Sequence, residues 1–280
     1  ITKNVGCLDG NSIQEIGGDL VFLSPDGIRT LAGTSRIGDV ELASVSRNVQ
    51  RIISNIVDNI NVLTISSVVL RSKSQYRLYY NDPSVAAKFS RGIIGTFTGQ
   101  GFEWSETLGI EATAVDSGFL ANGLEAIVHG DTDGYIYNHD KGITFRHGGA
   151  AANIDALYET PYLDFGDMGT RKTLQYAKIS VTPDRESGGF SDPTLKVQYD
   201  FQDVNVQQPP IYQLPTIRAG SSFGAAFFNT AYFGSTDNPL IRQPIQGSCY
   251  TSNFKIASND QEASYTINGI YINYVPAGRR

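Results

Sequence analysis

The chain has 280 residues, of which 40% are hydrophobic and only 18% are charged, and its formal net charge is −6. Lysine and arginine form no basic stripe, which argues against a protein that grips nucleic acid tightly through its phosphates. No apolar run approaches the roughly 20 residues of a membrane-spanning helix, and we therefore expect no membrane anchor.

The first clear element is a hairpin near the start of the chain. Residues 17–33, GGDLVFLSPDGIRTLAG, contain an apolar run, an Asp-Gly turn and a second apolar run. An Asp-Gly pair between two apolar runs is a strong signal for a β-hairpin. We predict strands at 19–23 and 28–31, with Asp26 serving the turn.

Residues 40–60 interrupt this β pattern. Apolar residues recur there at helical spacing and predict one amphipathic helix at 44–60, with Ser44 or Ser46 as its cap. The apolar positions are Val45, Val49, Ile52, Ile53, Ile56, Val57 and Ile60. They surround the helix more broadly than one small domain needs, and we predict that part of the helix packs at a subunit interface. The residues proposed for this interface are Ile52, Ile53, Ile56 and Ile60.

Strand signals return after the helix and repeat the hairpin unit. Residues 123–138, GLEAIVHGDTDGYIYN, match the first unit closely, and residues 75–107 form a looser copy. A propeller blade takes roughly 40 to 50 residues, which leaves room for about three blades before residue 150. Because a closed ring needs about four to eight blades, we predict an all-β domain at 1–150 with propeller-like but incomplete blades.

A run of small residues, GGAAA at 148–152, predicts a domain boundary. Beyond it the strands alternate again, but proline-containing loops longer than hairpin turns connect them. This pattern predicts a β-sandwich-like domain at 151–280.

Two sets of residues are candidates for a metal site. Asp131 and Asp133, in Asp-Thr-Asp-Gly, match the first half of a Ca²⁺ loop, but tyrosine occupies the next acceptor position and no distal glutamate follows. The histidines His129, His139 and His147 could meet in space and bind a metal. Their spacing places no pair on one face, and we favour structural roles for both sets.

Two glutamates and two cysteines are the remaining candidates for catalytic, metal-binding or redox chemistry. Glu103 and Glu106 flank Trp104 and could form a sugar-cleaving pair, although residues three apart on a strand point to opposite faces. Cys7 and Cys249 lie far apart in the sequence and predict two free thiols rather than a zinc or redox site. We therefore expect no enzymatic activity and no cofactor.

Several stretches resemble one family of phage proteins. They are GGDLVFLSPDGIRTLAGT, followed by DVELASVSRNVQRIISNI, and then YLDFGDMGTRKTLQYAKISV, NPLIRQPIQGS and GIYINYVPAGRR. These stretches are spread over most of the chain, and their amino-acid sequences resemble the tail nozzle family of short-tailed double-stranded DNA phages. The family is also called tail tubular protein B. Members of that family are longer, and the isoleucine at position 1 agrees with a processed or truncated chain.

The resemblance implies a structural virion protein in the phage tail. It implies a β-propeller with added β domains and six copies in a ring, which contacts neighbouring tail adaptor and fibre proteins. The ring would carry DNA through its lumen without sequence-specific binding and retain it before ejection. Two alternatives remain open: a carbohydrate-binding or carbohydrate-cleaving host-recognition tail protein, and a cellular propeller that acts as a protein-binding scaffold.

Overall fold

A computed structural model describes most of the chain, in two compact units, Ile1–Lys141 and Gly142–Arg280. The described residues are 6–31, 44–84, 90–99, 101–141, 145–147, 149–183, 190–218, 240–261 and 265–279. The predicted boundary lay after residue 150, whereas the units divide after Lys141. An antiparallel pair formed by Phe145–His147 and Ala150–Ala152 spans the predicted boundary. Because its two strands pair with each other, both fall in the second unit.

The described part of the first unit forms three antiparallel sheets. The first sheet contains β1 (Gln14–Ile16), β2 (Asp19–Ser24) and β3 (Gly27–Thr30). The second contains β4 (Thr64–Leu70), β5 (Gln75–Asn81), β6 (Arg91–Thr98) and β7 (Gly101–Leu108). The third contains β8 (Ala114–Phe119), β9 (Glu125–Gly130) and β10 (Ile136–Asn138).

Each of these sheets is a meander in which consecutive strands pair, as in a propeller blade. Both predicted Asp-Gly hairpins are confirmed, one between β2 and β3 and the other between β9 and β10. The looser copy forms β5, β6 and β7, which pair in sequence order. The predicted all-β class with an inserted helix is therefore confirmed.

The helix α1 spans Gln50–Asp58 and is preceded by a 3₁₀ turn at Arg47–Val49. It is shorter than the predicted 44–60, and neither predicted serine caps it. The Ser46 hydroxyl instead accepts a hydrogen bond of 2.9 Å from the backbone N–H of Ile28, in β3. This tertiary bond anchors the segment before α1 to the first sheet, and the helix therefore begins later.

The second unit contains the remaining strands. A hairpin is formed by β11 (Phe145–His147) and β12 (Ala150–Ala152), and a short pair by β15 (Phe190–Ser191) and β18 (Ile217–Arg218). One sheet has the order β13 (Ile154–Glu159), β21 (Ser252–Asp260), β16 (Thr194–Tyr199) and β17 (Tyr212–Gln213). In the other sheet, β14 (Thr170–Pro183) pairs on one side with β22 (Tyr265–Arg279) and on the other with β19 (Leu240–Pro244) and β20 (Ser248–Cys249).

These two larger sheets share one hydrophobic core, as in a sandwich. Their inward residues include Ile179 on β14, Leu195 on β16 and Phe254 on β21, all of which are fully buried. Alternation along β14 directs Ala177, Ile179 and Val181 into this core, and a register shift after Leu174 restores the inward phase. The predicted sandwich-like arrangement is therefore present in this unit.

Candidate functional site

The histidines predicted as metal candidates are partly brought together. His129, on β9, and His139, just after β10, face each other with 2.5 Å between Nδ1 of His129 and Nε2 of His139. The other ring nitrogen of His139 lies 3.3 Å from the hydroxyl of Tyr79, which comes from β5. His147 lies on β11, in the second unit.

An ion pair between buried Arg77 and exposed Asp140 lies beside this histidine pair. Asp140 accepts hydrogen bonds from Arg77 at 2.7 Å and from Lys73 at 2.8 Å. The Arg77 side chain is only 5% exposed, whereas that of Lys73 is 53% exposed. The carboxylate of Asp140 therefore neutralises a buried guanidinium on the central strand β5.

The surroundings of His129 and His139 favour the neutral form of both imidazole rings. Burial lowers the pKa of His139 to about 4, with smaller contributions from the positive charges of His129 and Arg77. Burial opposes ionisation of Asp140, but hydrogen bonds from Arg77 and Lys73 outweigh it and lower the pKa of that carboxyl to about 2. No group of three or more His, Cys, Asp or Glu residues suited to a metal ion occurs in the described part of the chain. The arrangement is a structural polar network that joins β5 to the β9–β10 hairpin.

The Asp131–Gly134 loop forms the turn that the sequence predicted. The Oδ1 atom of Asp131 accepts hydrogen bonds from the backbone N–H groups of Asp133 at 3.0 Å and Tyr135 at 2.8 Å. Gly134 has φ = +85°, a conformation that glycine adopts without strain. The side chain of Asp133 is exposed. Asp131 therefore shapes the hairpin loop directly.

Two of the three residues proposed for a sugar site have structural partners. Glu106 accepts hydrogen bonds from Arg91 at 2.9 Å and from the Tyr80 hydroxyl at 3.3 Å. The indole of Trp104 stacks on Phe102, and its N–H donates to the backbone carbonyl of Val45 at 2.8 Å. These contacts tie Trp104 and Glu106 to their own sheet and to the segment before α1.

The isoleucines proposed for an interface lie in or beside the core of the first unit. Ile53 and Ile56 are fully buried against residues of the first and second sheets. Ile52 and Ile60 are partly buried against the same cluster. The chain's own sheets therefore bury Ile53 and Ile56, whereas an interface at Ile52 and Ile60 stays a prediction.

Both cysteines are free, as the sequence predicted. Cys7 is exposed, whereas Cys249 is fully buried on β20. Burial raises the pKa of the Cys249 thiol to about 12. This buried thiol is a packing residue in the second core.

The surface of the second unit contains an apolar groove with a volume of about 440 Å³. It lies between the edge strand β13 of one sheet and the edge strand β22 of the other. Its lining is mainly apolar, with Ser191 and Asp260 at a polar end. The apolar lining residues are Ile154, Ala156, Leu157, Tyr158, Ile256, Tyr265 and Ile267.

The strand β13 that borders this groove is exposed along its whole length. Leu157 is 65% exposed and Tyr158 is 48% exposed, which is unusual for large apolar residues on a strand. Within the described residues, β13 pairs only with β21, and its other edge has no partner strand. An edge of this kind offers backbone hydrogen-bonding groups to another chain. We take the groove and the β13 edge as the candidate site.

The sequence did not predict that Arg77, Tyr79 and Asp140 belong to one polar network. Arg77 stands inside the apolar strand QYRLYY, and a charged residue in such a run is a signal for a buried ion pair. The exposed strand β13 was also missed as a site. Its sequence, IDALYE, has four apolar residues in six and gives no local sign of exposure, and only the sheet order places it at an edge.

Among the described residues, no helix has the length and apolar character needed to cross a membrane. Comparison of the chain with protein-family models and with curated protein sequences finds no significant match.

Proposed function

We propose that this chain is a structural protein that assembles into a homo-oligomeric ring and forms part of the wall of a phage tail channel. In the tail nozzle family that it resembles, such a ring conducts DNA and retains it before ejection. The single observation that most favours assembly is the exposed β13 edge beside the apolar groove. Rigid antiparallel sheets with such an edge are suited to building a wall.

The partner that best fits the groove is a second copy of this chain. A strand or hairpin of the neighbour would add to the β13 edge through backbone hydrogen bonds, and its apolar side chains would fill the groove. We infer that the added strand comes from a different surface of the neighbour, because only a head-to-tail contact builds a ring; pairing of β13 with β13 would give a dimer. Head-to-tail contacts of this type close into rings when their rotation permits.

The charge of the chain agrees with a conduit. Its formal net charge is −6 and its lysines and arginines are dispersed. An acidic lumen repels phosphate, so DNA would slide through the ring without being bound.

The test is the mass of the protein in solution, measured by light scattering and native mass spectrometry. We expect a stable ring of about six subunits for the unaltered chain, as in the family that it resembles. Leu157→Arg should shift the protein toward monomer, with association weakened at least about tenfold, because a charge would enter the apolar groove. Leu157 is 65% exposed, and the substitution should leave the fold intact.

The matched control is Val204→Arg. Val204 is 95% exposed and does not line the groove. This variant adds the same charge to the same unit and should assemble normally. A monomeric unaltered chain would count against the proposal and favour a scaffold, whereas a trimer that binds glycans would favour a host-recognition protein.

A further inference from the structure

Glu111 is a buried carboxylate that lies outside the network formed by Arg77, His139 and Asp140. Glu111 lies in the segment before β8 and is only 9% exposed. Its Oε1 atom accepts a hydrogen bond of 2.8 Å from the hydroxyl of Thr132. Its Oε2 atom is buried and has no hydrogen-bond donor among the described residues.

Asp131, the residue next to the one that bonds to Glu111, also has a buried carboxylate oxygen without a donor among the described residues. Asp131 uses Oδ1 for the turn of the β9–β10 hairpin, as described above. Its Oδ2 atom has no donor in the described part of the chain. Asp131 directly precedes Thr132, the residue that donates to Glu111.

The sheet topology brings these two segments together. The strands β8 and β9 pair up to Ala114 and Gly130, and the N–H of Thr113 then donates to the carbonyl of Gly130 at 3.0 Å. Residues 111–113 therefore run beside residues 131–133 as the two strands leave the sheet. Glu111, in the segment before β8, therefore lies beside the Asp-Thr-Asp-Gly loop, which has no distal carboxylate in the sequence.

Buried carboxylate oxygens without donors are unfavourable unless a cation or a proton neutralises them. We propose that Glu111 and Asp131 bind a Ca²⁺ ion, with loop oxygens and water completing its coordination. Oxygen ligands in an adaptable loop suit Ca²⁺, which accepts six to eight of them, better than Mg²⁺, which requires a stricter octahedral geometry. The ion would fasten the β9–β10 loop to the segment before β8.

The first measurement follows the melting temperature of the full chain after dialysis against EDTA, with and without millimolar Ca²⁺. We expect Ca²⁺ to raise the melting temperature of the unaltered protein, with a dissociation constant of about 10⁻³ M or tighter. Mg²⁺ at the same concentration should have a smaller effect. An identical melting temperature in Ca²⁺ and in EDTA would overturn the proposal.

The variants Glu111→Gln and Asp131→Asn test the two ligands. Both keep the oxygen that accepts the existing hydrogen bond and remove the charge, and each should weaken Ca²⁺ binding at least about tenfold. In EDTA, Glu111→Gln should melt above the unaltered protein, since a buried unpaired charge is lost. In Ca²⁺ the unaltered protein should instead melt at a higher temperature than Glu111→Gln. Loss of packing alone would not produce this reversal.

The control is Asp133→Asn, which removes an exposed carboxylate from the same loop. Ca²⁺ should still raise the melting temperature of this variant. Terbium luminescence gives an independent readout because Tyr135, the residue that follows the loop, can sensitise a bound Tb³⁺ ion. Luminescence should be lost in Glu111→Gln and kept in Asp133→Asn; equal luminescence in these two variants would refute the site.

Discussion

At the scale of single residues, the buried histidine His139 is the clearest electrostatic element of the first unit. It is 8% exposed and lies between His129 and Tyr79, with Arg77 close by. A proton on His139 would be poorly solvated and would face positive charge. The folded state therefore favours the neutral imidazole, which can accept or donate within the network.

This environment predicts a loss of stability in mild acid. The pKa of His139 falls from its ordinary value of 6.5 to about 4 in the folded state, mainly through burial. Below 6.5 the unfolded chain therefore binds a proton that the folded chain excludes. The stabilisation is complete above 6.5 and is lost as the pH falls toward 4, by about 3 kcal/mol.

The measurement is urea unfolding as a function of pH, for the unaltered protein and for His139→Gln. The variant cannot titrate at this position, and its stability should decline less between 6.5 and 4. Asp140 titrates below this window, because its pKa is about 2, and it does not obscure the comparison. Parallel pH profiles for the two proteins would show that His139 does not cause the decline.

At the scale of elements, β6 depends on glycines that allow rings from neighbouring strands to lie over it. A Cβ atom on Gly95 would lie 2.7 Å from two ring carbons of Trp104. Trp104 has little freedom to move away, since its ring stacks on Phe102 and its N–H is bonded to Val45. The close approach of β6 and β7 is thus coupled to the segment before α1.

We predict that Gly95→Ala destabilises the protein by about 1–3 kcal/mol, the usual effect of inserting a methyl group into a packed region. Gly118→Ala, on β8, is the matched control because nothing lies within 4 Å of its added Cβ. Urea unfolding of both variants tests the difference. If Gly118→Ala is destabilised as much as Gly95→Ala, general loss of glycine rather than the Trp104 contact is responsible.

The elements also show why local sequence patterns succeed or fail. Asp-Gly turns and apolar alternation predicted both hairpins because turn and strand preferences act over a few neighbouring residues. Helical spacing correctly predicted α1, and Ile53 and Ile56 are its buried residues. The start of the helix was predicted too early because the Ser46 hydroxyl bonds to Ile28, and such a distant partner leaves no local signal.

At the scale of the whole molecule, each compact unit has its own core. The buried residues of the sandwich core lie between Leu174 and Ile256, and those of the first unit lie between Val21 and Ile127. A unit with a complete core of its own is expected to fold independently.

We predict that the fragment 142–280 folds in isolation. Near-ultraviolet circular dichroism and amide NMR dispersion should indicate fixed tertiary packing, and heating should give a cooperative transition. The fragment 142–260 is the control, because it lacks β22 and leaves one edge of β14 without its long partner. An unfolded 142–280, or a control fragment that folds equally well, would contradict this division.

Short antiparallel strands, tight Asp-Gly hairpins and one amphipathic helix could all be predicted from the order of the amino acids. These features follow from preferences of adjacent residues and from the two periodicities of backbone structure. No local pattern predicts that β14 pairs with β22, that His139 contacts His129 and Tyr79, or that Glu111 approaches the Asp131 loop; these contacts form only in the folded chain. Alternation specifies which face of a strand is buried but not which distant strand pairs with it, and that choice depends on packing of the whole chain.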